Sequence, residues 1–247
     1  MKKPHSLLQQ IAGVMALAGL LCSALLLSWN GLARTNFFYP LWHHTLEIEA
    51  HIQEYAPQNY YNREDFAQTT SLEHQRLFAL IVHGIHGRTD MAAIEYQDSK
   101  ATPLNTLLRP EEVGHLEDVA TIVQKLRRAG VIVLVVTVGG LCWLRYCGGN
   151  LPRPKNVLLG IAGGSGALTV AVLVLGPVRV FYQLHEWFFP PDNPWFFYYQ
   201  ESLMTTLMKA PDIFGAIAVL WALSALLLFI FFYAVVWHWL SGKRNRA

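Results

Sequence analysis

Charge is scarce in this sequence: 15% of its 247 residues are Asp, Glu, Lys or Arg, where a soluble domain usually carries about a quarter. With 53% hydrophobic residues and a mean hydropathy of +0.28, the composition is that of a membrane protein with a modest polar part. Aromatic residues at 13% exclude intrinsic disorder. A net charge of +2 and no long Lys/Arg block exclude a nucleic-acid partner. Cysteine is rare as well. Cys22, Cys142 and Cys147 all fall in or beside apolar runs, so no disulfide supports the polar segments. There is no Gly-rich phosphate loop, no G-x-S-x-G elbow and no outward reactive Cys, so acyl transfer through a Ser or Cys nucleophile lacks its parts. Internal repeats and low-complexity tracts are absent too.

What is abundant is long apolar sequence. A helix crossing the hydrocarbon core needs about 20 mostly apolar residues, and four segments approach that length: about 11–29, 128–145, 156–179 and 213–239. The first follows Lys2 and Lys3 as a signal peptide would, yet it lacks a small-x-small site close behind and reads as a retained anchor. The second is short. The amphipathic stretch before it completes it, with Lys125, Arg127 and Arg128 snorkelling outward. In the third, Gly160, Gly163, Gly164 and Gly166 offer close helix packing. The expected architecture is therefore a membrane all-α fold, a single integral domain of four transmembrane helices. A larger outer-facing segment (about 31–127) and a short aromatic outer loop (about 180–212) complete it.

Sidedness follows from charge. Lys2, Lys3, Arg145, Arg153, Lys155, Lys243, Arg244 and Arg246 occupy the two tails and the loop between the second and third spans, without a single acidic residue. All 17 acidic residues lie between Glu47 and Asp212. Positive residues mark the cytoplasmic side, so both termini are expected inside a cell (inner, cytoplasmic) membrane and the two polar segments outside.

Within the first polar segment, 72–85 (LEHQRLFALIVHGI) has helical apolar spacing. Gly84 and Gly87 would loosen its end, and 99–108 reads as a loop. Pro110, Glu111 and Glu112 open a helix that continues into the second span. Glu112, His115, Asp118 and Val119 share a face of that helix. A carboxylate beside an imidazole fixes its tautomer and raises its pKa, which is how a general base is prepared; a solvated polar face has the same spacing. The second polar segment, 182–199, carries His185 into a run dense in Trp, Phe and Tyr. Pro190, Pro191 and Pro194 prevent a continuous helix there. It reads equally as an interfacial anchor belt with an incidental His. His83 and His86 have ligand-like spacing but lack a completing set. Glu112-x-x-His115 is half of a di-metal helix motif with no second copy. His43, His44, His51 and His74 read as surface or interface positions. Neither a metal nor another cofactor is expected.

The E-x-x-H-x-x-D-V pattern (Glu112, His115, Asp118, Val119) resembles a signature of the Lit-like family of four-span membrane proteins. So does His185-x-x-x-Phe189 continuing to Trp195, Leu203 and Pro211-x-x-Phe214. The likeness covers roughly 105–235, with the two motifs about 70 residues apart. The resemblance implies an intramolecular transacylase acting on bacterial diacylated lipoproteins in membrane lipid. The sn-2 acyl chain would move to the α-amino group of the amino-terminal cysteine, giving a lyso-form. It also implies that His115 and His185 are catalytic. Supporting roles would fall to Glu112 or Asp118, which orient His115, to Asp192, and to Trp195 or a backbone N–H facing the oxyanion. The substrate supplies its own nucleophile, consistent with the missing Ser or Cys. Two other readings of the residues stand beside this one: a non-enzymatic membrane subunit or pH sensor with a His-rich outer loop, and a metal-dependent membrane hydrolase.

Overall fold

A computed structural model describes residues 6–190 and 192–242. The positive tail residues Lys2, Lys3, Lys243, Arg244 and Arg246 lie outside them. The chain order is α1 (Leu7–Arg34), α2 (Tyr39–Thr45), α3 (Ile48–Tyr55), α4 (Ser71–Ile85), β1 (Glu95–Gln97), β2 (Pro103–Thr106), α5 (Pro110–Cys147), α6 (Pro154–Leu175), α7 (Pro177–Phe188), α8 (Leu203–Met208) and α9 (Asp212–Ser241). Four of these, α1, α5, α6 and α9, are long and apolar enough to cross a membrane. The protein is a multi-pass membrane protein, mostly helical.

The described chain divides into two compact units. The first takes residues up to Gly31, Leu126–Leu175 and Leu220 onward, the apolar portions of the long helices. Its core packs Ala16, Leu20 and Ala24 of α1 with Leu141 and Leu144 of α5 and Phe229 and Tyr233 of α9. Gly19 lets α1 and α5 approach, because a Cβ there would collide with Thr137 Oγ1. Polar groups inside this unit are satisfied locally. Trp221 Nε1 donates to the Leu25 carbonyl at 3.0 Å and Tyr233 Oη to the Pro152 carbonyl at 2.8 Å. Leu158, Leu159, Leu168, Val170, Leu173 and Val174 of α6 are exposed, as residues facing lipid should be. The four glycines of α6 correct the sequence expectation: Gly160, Gly163, Gly164 and Gly166 meet nothing within 4 Å among the described residues. They line no helix contact among the described residues.

The second unit comprises Leu32–Lys125 and Gly176–Val219. It holds α2, α3, α4, the hairpin, the polar start of α5, α7, α8 and the start of α9. Its core is Tyr39, Ile48, Ile52, Phe66, Leu77, Ile81, Tyr96, Leu107, Leu203 and Leu207, all essentially inaccessible. Tyr39 stacks on Phe78 with ring centroids 4.2 Å apart and donates to the Leu207 carbonyl. The chain enters this unit through a left-handed turn, with φ of 48, 51 and 58° at Asn36, Phe37 and Phe38. Such backbone costs about 1–2 kcal/mol per L-residue, offset here by burial of Phe37 and the Trp42 Nε1 bond to its carbonyl.

The helix expected at 72–85 is α4. Thr70 caps it by accepting from the Glu73 N–H, and Gly87 (φ +73) lies just past its end. Part of the stretch read as a loop is strand instead: β1 and β2 pair antiparallel, Glu95 opposite Thr106 and Tyr96 opposite Asn105. A buried carboxylate holds that hairpin on α4. Glu73 pairs with Arg76 at 2.6 Å and accepts from the Gln97 N–H at 2.9 Å, while Arg76 donates to the Glu95 carbonyl. The third apolar run also ends earlier than expected. Gly176, at φ +87°, separates α6 from α7, so Val178 and Arg179 belong to the shorter helix that carries His185.

The surface expectation fails for three histidines. His43 and His51 are buried and His74 is fully so; of the four, His44 is the exposed one. His51 packs between Tyr55 and Tyr199, 4.7 and 4.3 Å between centroids.

Candidate active site

His115 and His185 meet within the second unit. Their ring centroids are 6.0 Å apart, with planes inclined by 31°. His115 stands one turn into the polar start of α5 and is 8% exposed. His185 lies in the last turn of α7 and is half-buried. That helix ends where the prolines dictate. Phe189 precedes Pro190 and is extended (φ −110, ψ 146°), as the residue before proline prefers. The chain then runs through 192–202 without regular helix.

Aromatic rings enclose the pair. Phe189 touches both imidazoles, 4.8 Å from His115 and 5.2 Å from His185. Phe181 and Trp195 flank His185 at 4.1 and 5.0 Å, and Phe197 lies 6.4 Å from His115. The dense aromatic run around residue 190 is thus in part a wall around two imidazoles.

Hydrogen bonding determines one tautomer. His185 Nδ1 lies 2.8 Å from the Phe181 carbonyl oxygen. A carbonyl only accepts, so Nδ1 carries the proton and Nε2 of the neutral ring keeps its lone pair. Burial holds the His185 pKa below its usual range, partly opposed by this bond. The ring is therefore neutral at neutral pH, with one nitrogen available to take a proton.

The carboxylates behave differently from expectation. Glu112 is completely buried, but it turns away from His115. One oxygen accepts a short hydrogen bond from Ser202 Oγ, and the other accepts from the Arg109 N–H at 2.6 Å. The Arg109 guanidinium lies 3.6 Å from Glu112 and stacks over Tyr61 (4.5 Å) and Phe197 (5.6 Å). Asp118 accepts from Asn193 Nδ2 at 2.6 Å. Neither carboxylate hydrogen-bonds His115 among the described residues. Asp192 is exposed and makes no hydrogen bond or ion pair among the described residues. Trp195 does reach the pair, through its ring against His185.

Sequence reading missed Asn193, Ser202, Arg109, Phe181 and Phe197. Ser202 and Asn193 lie 90 and 75 positions from their carboxylate partners, and no local spacing announces such pairs. Arg109 carried a signal, since a cation just ahead of a Glu-rich helix start is out of place against the helix dipole.

The sequence matches no known family profile and no curated protein. Solved structures do match the fold. The membrane-integral lipoprotein intramolecular transacylase Lit from Bacillus cereus aligns over 97% of this chain and 99% of its own, at a TM-score of 0.64 and 16% identity. Two variants of that protein, with one histidine replaced by alanine or by arginine, align over 97% of this chain at TM-scores of 0.65 and 0.63. They cover 96% and 94% of their own chains, again at 16% identity. Likeness at this identity establishes a shared fold over nearly the whole length of both proteins.

Proposed function

We propose that this chain, having the fold of the Lit transacylase, is itself a lipoprotein intramolecular transacylase. It moves the sn-2 acyl chain of an S-diacylglyceryl cysteine to the α-amino group of that cysteine. The supporting observation is the juxtaposition of His115 and His185 inside an aromatic enclosure, with neither imidazole hydrogen-bonded to a Ser or Cys among the described residues. We also propose that both termini are cytoplasmic and the histidines face outward in the cell membrane, on the charge asymmetry of the loops.

In the proposed reaction, His185 Nε2 accepts a proton from the amine as nitrogen attacks the sn-2 ester carbonyl carbon. The C–O bond to glycerol then breaks, and the departing oxygen takes a proton from His115 as the proton gained by His185 passes to His115, so that both rings end neutral. Burial holds the His115 pKa down to about 4, so the proton arrives by relay from His185 rather than from a standing imidazolium. An α-amino group titrates near 7.7–8.0 and a free imidazole near 6.5. The ammonium form has no lone pair, so the free-amine fraction attacks, and the proton His185 takes is the one nitrogen sheds as the N–C bond forms. An imidazole held below its usual range is a weaker base, and its conjugate acid is correspondingly better at protonating an alkoxide. A positioned acid–base group contributes roughly 10²–10⁴-fold, and holding amine and ester together supplies much of the remainder. Trp195 and backbone N–H groups of the loop are the candidates for the developing oxyanion.

The test is production of the lyso-form in a host lacking amino-terminal lipoprotein acylation, read by mass spectrometry of amino-terminal peptides. An N-acyl, S-monoacylglyceryl cysteine is expected. Unchanged diacylglyceryl peptides, with the protein present in the membrane, would overturn the assignment and favour a non-enzymatic subunit.

A further inference from the structure

Three side chains from three different helices converge elsewhere in the second unit: His43 of α2, Glu49 of α3 and His74 of α4. His43 Nε2 lies 3.0 Å from His74 Nδ1. Glu49 Oε2 lies 3.6 Å from the former and 3.4 Å from the latter. These edges bracket the separation of about 3.3 Å between neighbouring ligands placed about 2.0–2.1 Å from a tetrahedral ion.

The donor atoms also point the correct way. Thr69 Oγ1 donates its one proton to the Phe66 carbonyl at 2.6 Å. At 2.7 Å from His74 Nε2 it must therefore accept, and His74 carries its proton on Nε2. The Nδ1 lone pair is thereby turned toward His43 and Glu49. A fixed tautomer, held from behind by a hydroxyl, is how metal-binding imidazoles are commonly oriented. Glu49 Oε2 supplies a second anomaly. It is buried and has no hydrogen-bond partner among the described residues, although it faces that lone pair. A carboxylate oxygen and an imidazole lone pair 3.4 Å apart repel each other unless a proton or a cation sits between them. The one proton within reach, on His43 Nε2, serves a single hydrogen bond and leaves the carboxylate unpaired.

We infer that His43, Glu49 and His74 form a divalent metal site of the zinc class, with a fourth coordination position open to solvent. Two imidazoles and one carboxylate suit Zn²⁺ and disfavour hard ions such as Mg²⁺, which take oxygen ligands. A cavity of about 620 Å³, lined by His43, His44, Glu47, Glu49, Ala50 and Ser71, gives the ion an entry path and leaves room for water as a fourth ligand. His43 would bind through Nε2 as its Nδ1–H tautomer, the ion taking the place of the proton that otherwise bridges His43 Nε2 and His74 Nδ1. The ion would tie α2, α3 and α4 together in a unit without a single cysteine, stabilising the native state by mass action. Folding assembles the site, and its ligands are spread too far along the chain to form a sequence motif. The inference shares no residue with the proposed transacylase site and stands apart from it.

The full-length protein in detergent micelles, stripped with a chelator and dialysed against Zn²⁺ alone, tests this by elemental analysis. One equivalent is expected in the wild type and in a His83→Asn/His86→Asn variant. Glu49→Gln and His43→Asn should lose that equivalent, and Thr69→Val should bind about 10–100-fold more weakly. Co²⁺ should give the intense visible absorption of a tetrahedral site, displaced by Zn²⁺. Glu49 is half-exposed, so its variant should fold, and Zn²⁺ should raise the unfolding temperature of the wild type but not of Glu49→Gln. Absence of bound zinc in the wild type, or full stoichiometry retained in Glu49→Gln and His43→Asn, would overturn the site.

Discussion

Asn193 donates from Nδ2 to Asp118 Oδ2 at 2.6 Å, fastening the proline-rich loop to the helix that carries His115. The same loop places Trp195 against His185. One side-chain bond thus links the positions of both imidazoles, although neither Asn193 nor Asp118 touches them through a hydrogen bond.

Loosening that tie should cost activity without removing chemistry. A hydrogen bond to a charged group is worth about 1.5–3 kcal/mol, so Asn193→Ala and Asp118→Asn should each slow lyso-form production by roughly tenfold or more. The double variant should be little worse than either single one, because both remove the same bond. Initial rates on a diacylated lipopeptide, for wild type and the three variants, decide this. Additive losses would place the two residues in separate roles.

Glu112 should matter for folding more than for proton transfer. It is fully buried and bonded to Ser202 and to the Arg109 backbone. Removing one partner of a buried charged pair typically costs about 3–5 kcal/mol. Glu112→Ala should therefore lower the unfolding temperature by many degrees, Glu112→Gln by less, and Ser202→Ala by less again. Thermal denaturation in micelles measures the order. A Glu112→Ala protein that is fully stable yet inactive would give this carboxylate a direct chemical role instead.

The pH dependence follows from burial. His185 is held below the usual imidazole range, so its neutral, proton-accepting form persists below pH about 6.5. Once the rate is corrected for the fraction of substrate present as free amine, which titrates near 7.7–8.0, the acidic limb of the profile should have its midpoint under about 6.5, with activity lost as pH falls through it. A midpoint above about 6.5 would contradict the tautomer and burial argument for His185.

Stability should depend on pH in the same sense. His74 is lowered to about 3 and His51 to about 4, both mainly by burial. Their folded pKa values lie below the unfolded ones, so the unfolded state binds protons first as the solution is acidified. The stability these groups contribute is complete above about pH 6.5 and declines progressively as pH falls toward 4 and then 3. Unfolding temperatures measured from neutral pH down to mildly acidic pH should drop in wild type and drop less in His51→Phe, which cannot titrate.

The membrane architecture was legible because a charge-free run of about 20 apolar residues suits little besides a bilayer-spanning helix. The amphipathic helix α4 and the continuation of α5 from Pro110 through its cluster of basic residues were legible too. The short strands were not: Glu95–Gln97 and Pro103–Thr106 are too brief and too polar for an alternating pattern to stand out. Gly176-Pro177 did signal a break in the third apolar run, but hydropathy alone reads through it to Arg179. Buried histidines are invisible to composition, since only the fold decides that His74 lies beside Phe66 and Thr69. At the candidate site, His115 and His185 were singled out by motif, and Trp195 was found close to them. Against the burial that lowers the His115 pKa, Asp118 acts on that ring through its charge alone, in the raising direction. Neither Glu112 nor Asp118 hydrogen-bonds His115 among the described residues; their hydrogen-bond partners Ser202 and Asn193 come from a segment many residues away.

The histidine pair itself offers the most direct test. Purified wild type, His115→Gln, His185→Gln and the double variant should be assayed in lipid bilayers for conversion of a diacylglyceryl peptide to its lyso-form, with unfolding temperatures recorded alongside. Each single variant should fold like wild type and lose roughly 10²–10⁴-fold in rate, and the double should be scarcely slower than the singles, as expected for residues acting as a unit. A folded His115→Gln or His185→Gln protein that converts the peptide at the wild-type rate would contradict the acid–base pair.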